Sequence, residues 1–137
     1  MAPTRERKDD VGEVLRLHFG REIQRLRTAS KVSQVKLAEE AGMDSGTLIR
    51  LEQGEAPIGE DSLFAICRAL DYDAGDLVGN VVDSFARDRT APRSADPDDP
   101  LLPLIRKVRE KHDERPRSDR ELLDACRELL RHLASRH

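Results

Sequence analysis

Ser33-Gln34-Val35-Lys36-Leu37-Ala38-Glu39-Glu40-Ala41-Gly42-Met43-Asp44-Ser45-Gly46-Thr47-Leu48-Ile49-Arg50-Leu51-Glu52-Gln53-Gly54 is the stretch that decides the fold. Ser33 suits an N-cap, because its hydroxyl oxygen can accept from the free N–H groups of a first helical turn. Leu37, Ala38 and Ala41 then fall on one helical face. Gly42 ends this helix where a residue of positive φ is needed. Asp44 is a second N-cap two residues later, and Leu48 and Leu51 form the apolar stripe of a second short helix that Gly54 stops. Two short helices, a tight turn containing glycine and a small alanine at the crossing make a helix-turn-helix.

Outward from this stretch the pattern stays helical. Val11, Val14, Leu15, His18, Phe19, Glu22, Ile23 and Leu26 recur at three- and four-residue steps, which predicts a first helix from about Asp10. His18 on that stripe reads as a packed side chain rather than a ligand. The second and third helices span about 34–41 and 45–53. A fourth, about 60–70, buries Leu63, Phe64, Ile66, Cys67 and Leu70, and Glu60 and Asp61 suit its positive N-terminal dipole. Asp73 caps a fifth, whose stripe runs through Leu77, Val78, Val81, Val82 and Phe85.

At this point residues 19–78 resemble the Cro/CI-type repressor domain, a five-helix DNA-binding module. The matching residues are Gly20, Ile23, Leu26, Arg27, Ser33, Gln34, Leu37, Ala38, Gly42, Thr47, Leu51, Glu52, Gly54, Leu63, Ala69, Leu70 and Leu77. The resemblance implies an all-α, lambda-repressor-like fold over residues 10–86. It also implies a structural ion pair between Arg27 and Glu52, tying the first helix to the recognition helix through charge-assisted hydrogen bonds.

The remaining segments lie outside the resemblance. Residues 1–9 are expected to be a disordered tail. Residues 87–100 contain three prolines and no apolar side chain larger than alanine, the composition of an extended linker. Beyond it, residues 101–137 hold two amphipathic segments. Leu101, Leu102, Leu104, Ile105 and Val108 mark a short helix, and Pro103 is tolerable in its first turn. Ser118-Asp119-Arg120-Glu121 is a capping box, and Leu122, Leu123, Cys126, Leu129, Leu130 and Leu133 form the apolar face of a last helix. Such helices cannot bury their faces alone. They pack on the first domain, on each other or on a second copy; dimerisation through Leu122, Cys126, Leu129, Leu130 and Leu133 is the reading preferred here, because half-site readers of this type usually act as dimers.

On DNA, a recognition helix enters the major groove with its first turns against base edges. With Leu48 and Leu51 inward, Ser45, Gly46, Ile49, Arg50 and Gln53 face outward. Arg50 is the best direct reader, since a guanidinium can bond guanine O6 and N7 together. Ser45 and Thr47 offer hydroxyls to a base or phosphate, and Thr47 also suits the helix start. Ile49 fits either a thymine methyl or a protein interface, and Gly46 allows close backbone approach. The resemblance places Gln34 against the sugar-phosphate backbone, with Ser33 and the free N–H groups beside it. Lys36 is a further phosphate candidate.

Charge works against a simple basic footprint. The chain of 137 residues carries 24 Lys and Arg against 27 Asp and Glu, a net charge of −3. Asp44 and Glu55 put negative charge at the start and just past the end of the recognition helix. The expected function is a sequence-specific transcriptional regulator, a homodimeric repressor bound to double-stranded DNA; the alternative is a protein-interaction adaptor or antitoxin with the same fold.

No run of 18 apolar residues exists, so no membrane span is expected. Cys67 and Cys126 lie on apolar stripes without metal-ligand spacing and read as small buried hydrophobes. Neither a nucleophile–base set nor a phosphate loop is present, and His112, His132 and His137 are scattered. No catalytic residue, cofactor or metal is expected, and the location is cytoplasmic.

Overall fold

The structure, a computed structural model, describes residues 10–88, 98–114 and 119–135, the backbone alone for Asp119. The tail 1–9, most of the expected linker and Ser118 of the capping box lie outside the described residues. Seven α-helices and no strand occur among the described residues: α1 Val11–Ala29, α2 Gln34–Ala41, α3 Ser45–Glu52, α4 Glu60–Leu70, α5 Ala74–Arg87, α6 Leu101–Asp113 and α7 Asp119–Ala134. The all-α expectation holds.

Capping sets the boundaries. Asp10 accepts from Gly12 N–H at 2.7 Å and Ser33 from Lys36 N–H at 3.1 Å. Asp44 accepts from Thr47 N–H at 3.3 Å and Asp73 from Asp76 N–H at 2.9 Å. Each therefore satisfies an orphan donor of the first turn. Gly42 closes α2 at φ 72° and Gly54 follows α3 at φ 75°, both in the left-handed region that glycine enters without strain. Asp71 closes α4 at φ 53°; aspartate and asparagine, whose short side chains bond locally, tolerate this region better than most, but nothing in the sequence marks it.

α6 is longer than its apolar stripe predicts. Its last turn, residues 109–113, is charged, and contacts with the neighbouring helices hold it. Lys111 Nζ bonds Glu121 Oε1 of α7 at 2.8 Å. The His112 ring lies against α5, where a Cβ added to Gly79 would stand 2.4 Å from it. Gly79 thus lets the two backbones approach.

One apolar core runs through all seven helices, from Val11 to Leu133. α1 packs on α5 and α3, α2 on α4 and α3, and α5 is shared between α1 on one side and α6 and α7 on the other. His18 belongs to this core: its Nε2 is 2.8 Å from Asp88 Oδ2 and its ring meets Phe85 edge-on. A second polar group behind α1 is Glu22, which accepts from Arg25 and from Asn80, while Asn80 also reaches the Tyr72 hydroxyl.

The apolar stripe of α7, where a dimer surface was expected, packs within the single chain. Leu122, Cys126, Leu129, Leu130 and Leu133 are each 0–1% exposed within the single chain. α7 covers α5 and α6 and touches α4, so its stripe is spent on the protein's own core. The physical reason is the length of the α5 stripe. Val78, Val81 and Val82 are fully buried on a helix that α1, α6 and α7 all cover, and burying each valine is worth about 1.5–3 kcal/mol. Arg127 and Arg131 of α7 add ion pairs to Glu60 at the start of α4, at 3.7 and 3.0 Å. Cys67 and Cys126 are buried free thiols, as expected of small hydrophobes.

Candidate nucleic-acid interface

The recognition helix α3 is fixed from behind. Leu48 and Leu51 anchor its inner face at 0 and 3% exposure. Gly20 on α1 sits under its last turn, where a Cβ would stand 2.4 Å from the Glu52 carbonyl oxygen and 2.6 Å from that of Leu51. Only a glycine lets the two helices approach this closely.

Glu52 is the hub of this contact. Its side chain is 2% exposed. Arg27 donates to it twice, through Nε to Oε2 at 2.6 Å and Nη2 to Oε1 at 3.2 Å. Arg27 Nη1 also donates to the Val32 carbonyl at 3.0 Å, tying down the loop before α2. A bidentate guanidinium–carboxylate pair fixes orientation as well as distance, so the Arg27–Glu52 pair implied by the resemblance is in place.

Gln34 joins the same carboxylate, its Nε2 donating to Glu52 Oε1 at 2.8 Å. Sequence reasoning assigned Gln34 to the DNA backbone and missed this contact. A single carboxylate thereby locks α1, α2 and α3 together. The signal for it was available only in part: Gln34 is the first helical residue behind Ser33, but its reach toward Glu52 depends on the crossing of the two helices.

The outward face of α3 carries Arg50 and Gln53, both exposed, with Ser45, Gly46, Thr47 and Ile49 half-buried on the approach. Among the described residues Arg50 enters no salt bridge, and its own carbonyl accepts from Glu55 N–H at 2.9 Å. The Asp44 carboxylate is turned onto the helix start: besides its bond to Thr47 N–H, its Oδ2 would lie 2.8 Å from a Cβ at Gly46. Part of its charge is therefore absorbed by the helix dipole. Glu55 is exposed just beyond the helix.

On α2, Ser33 and Lys36 are exposed beside the free N–H groups of the first turn, and Lys36 Nζ lies 3.5 Å from Glu40 Oε2. That exposed i,i+4 pair is weak and yields readily to a competing phosphate. Val35, between them, is 67% exposed, an apolar side chain the sequence reading did not single out. α2 and α3, which carry these candidates or are flanked by them, pack against each other.

Fold and face together define a helix-turn-helix domain. Residues 18–78 match the family model described as a helix-turn-helix domain. Among solved structures, the chain is similar to the restriction-modification controller protein C.AhdI from Aeromonas hydrophila, with 29% identity, 45% of this chain and 94% of that chain covered, and a TM-score of 0.45. It is also similar to the clp gene regulator ClgR from C. glutamicum, with 27% identity, 54% of this chain and 96% of that chain covered, and a TM-score of 0.51. No curated protein matches the chain. No helix among the described residues is long and apolar enough to cross a membrane.

Proposed function

We propose that the protein is a DNA-binding transcriptional regulator, a homodimeric repressor that reads the major groove with α3. The observation that carries this reading is the exposed Arg50 on a helix whose opposite face is locked to α1 and α2 through Glu52. A rigid helix presenting an unengaged guanidinium is what bidentate recognition of guanine requires. Gln53, Ser45, Thr47 and Ile49 would supply secondary base contacts, and Ser33, Lys36 and the first N–H groups of α2 would hold the phosphates. Gln34 contributes by orienting α2 as much as by touching DNA. The neighbour ClgR, described as a gene regulator, supports regulation as the purpose of the binding.

The acidic balance makes a second copy the natural source of affinity, since two half-sites together supply contacts that one cannot. With the α7 stripe buried, that dimer would use another surface. Catalysis plays no part in this reading, no cofactor is needed, and the site of action is the cytoplasm.

Selection of bound duplexes from a random library tests the proposal. A palindromic consensus with guanine at the Arg50 positions is the expected result, and retention independent of sequence and salt would overturn it. A protein-interaction adaptor or antitoxin is the second reading. The exposure of the apolar Val35 in the first turn of α2 favours it, and the absence of any salt-sensitive duplex binding in that selection would select it.

A further inference from the structure

His112, read in the sequence as an isolated histidine, is brought by the α5–α6 crossing into a group of metal-ligating side chains. Asp83 of α5 and His112 and Asp113 of α6 each offer a ligand atom, and these atoms lie within 4.8 Å of one another. We propose that these three residues bind one divalent transition-metal ion of the zinc class, which clamps α6 onto α5. The site is independent of the DNA-binding reading.

The arrangement has the spacing that a shared ion needs. His112 Nδ1 is 3.7 Å from Asp83 Oδ2, beyond hydrogen-bond length. Two donors about 2.1 Å from a tetrahedral zinc stand about 3.4 Å apart, so a small shift brings both onto one ion. A mixed imidazole and carboxylate set suits zinc and its first-row neighbours rather than magnesium or calcium.

Two of the three ligands, His112 and Asp83, are also oriented from outside the site. The other ring nitrogen of His112, Nε2, is 3.4 Å from Asp76 Oδ1. A carboxylate behind a histidine favours the proton on Nε2 and turns the Nδ1 lone pair inward. Arg109 Nε donates to Asp83 Oδ1 at 3.2 Å, leaving Oδ2 toward the ring. Gly79 completes the cradle, because a Cβ there would stand 2.4 Å from His112 Cδ2 and Cγ. The ring is thus pressed against the α5 backbone rather than free to swing.

Bound zinc would bridge α5 and α6, since Asp83 lies on one helix and His112 and Asp113 on the other. Its effect would be to couple metal occupancy to the docking of the C-terminal helices on the first domain.

The test uses the full chain, stripped with a chelator and titrated with zinc chloride by calorimetry, alongside thermal unfolding. One equivalent of zinc and a rise in Tm are expected. Asp113→Ala, at an exposed position, should weaken zinc binding about 10-fold or more while leaving the metal-free Tm unchanged, and Asp83→Asn should weaken it likewise. His132→Ala, on exposed α7 surface, serves as the control and should bind as the parent does. Absence of saturable binding, equal binding by Asp113→Ala and Asp83→Asn, or loss with His132→Ala would each overturn the site.

Discussion

Gly20 on α1 and Glu52 on α3 meet backbone to backbone: the space a Cβ at Gly20 would take lies 2.4 Å from the Glu52 carbonyl oxygen. The neighbouring atoms are main chain, so they cannot swing aside as a side-chain end would. Gly20→Ala should therefore push α3 away from α1 and cost about 1–3 kcal/mol, the usual range for overpacking. Urea unfolding measures the loss. DNA affinity of the folded variant should fall as well, because the displaced helix is the proposed reader.

Arg27 and Gln34 both serve the Glu52 carboxylate, but unequally. Arg27→Met leaves a buried carboxylate without its cation and should cost about 3–5 kcal/mol. Gln34→Ala removes one hydrogen bond, with an expected cost of about 1–2 kcal/mol. The combination Arg27→Met with Glu52→Gln should recover part of the first loss, since no buried charge then remains. Equal stability of the single and double variants would show that Glu52 reaches solvent when Arg27 is gone.

Arg50 separates specificity from general attraction. Arg50→Ala should cost about 1–3 kcal/mol on the selected site and little on random duplex, relaxing preference at its base pair. Lys36→Ala should weaken both duplexes alike and reduce the salt slope by about one. Fluorescence anisotropy across a salt series measures both, and equal losses of Arg50→Ala on the two duplexes would remove its reading role.

Leu129 tests the intrachain role of α7. It is fully buried, so Leu129→Ala should open a cavity and cost about 2–5 kcal/mol. Sedimentation of the folded variant should give the parent's mass, because α7 packs on α5 and α6 within the chain. A shift in oligomer mass without loss of stability would return the stripe to an interface.

Alkaline pH should weaken the fold through its two thiols. Burial pushes Cys67 and Cys126 up from the ordinary 9.0 to about 12. In the unfolded chain they ionise near the ordinary value, so between these limits the folded state holds more protons. Their stabilising contribution is whole below about pH 9 and is lost as pH rises toward 12. The urea midpoint should fall over this range, and Cys67→Ala with Cys126→Ala should flatten that part of the fall.

Local rules determined much of this protein from sequence alone. Ser33, Asp44 and Asp73 cap helices because a short polar side chain reaches only its own first turn, and Gly42 and Gly54 end them because positive φ is a property of single residues. Amphipathic stripes located all seven helices for the same reason: their period is a local signal. The Arg27–Glu52 pair was legible through its family resemblance. Tertiary structure decided the partners. A stripe such as Leu122–Leu133 announces that it will be buried without saying against what, and here the overlong stripe of α5 claimed it. The turn of Gln34 onto Glu52, the wedge of Gly20 under α3 and the meeting of Asp83, His112 and Asp113 all join residues on different helices. Their distances depend on how helices cross, and crossing is settled by packing over the whole core.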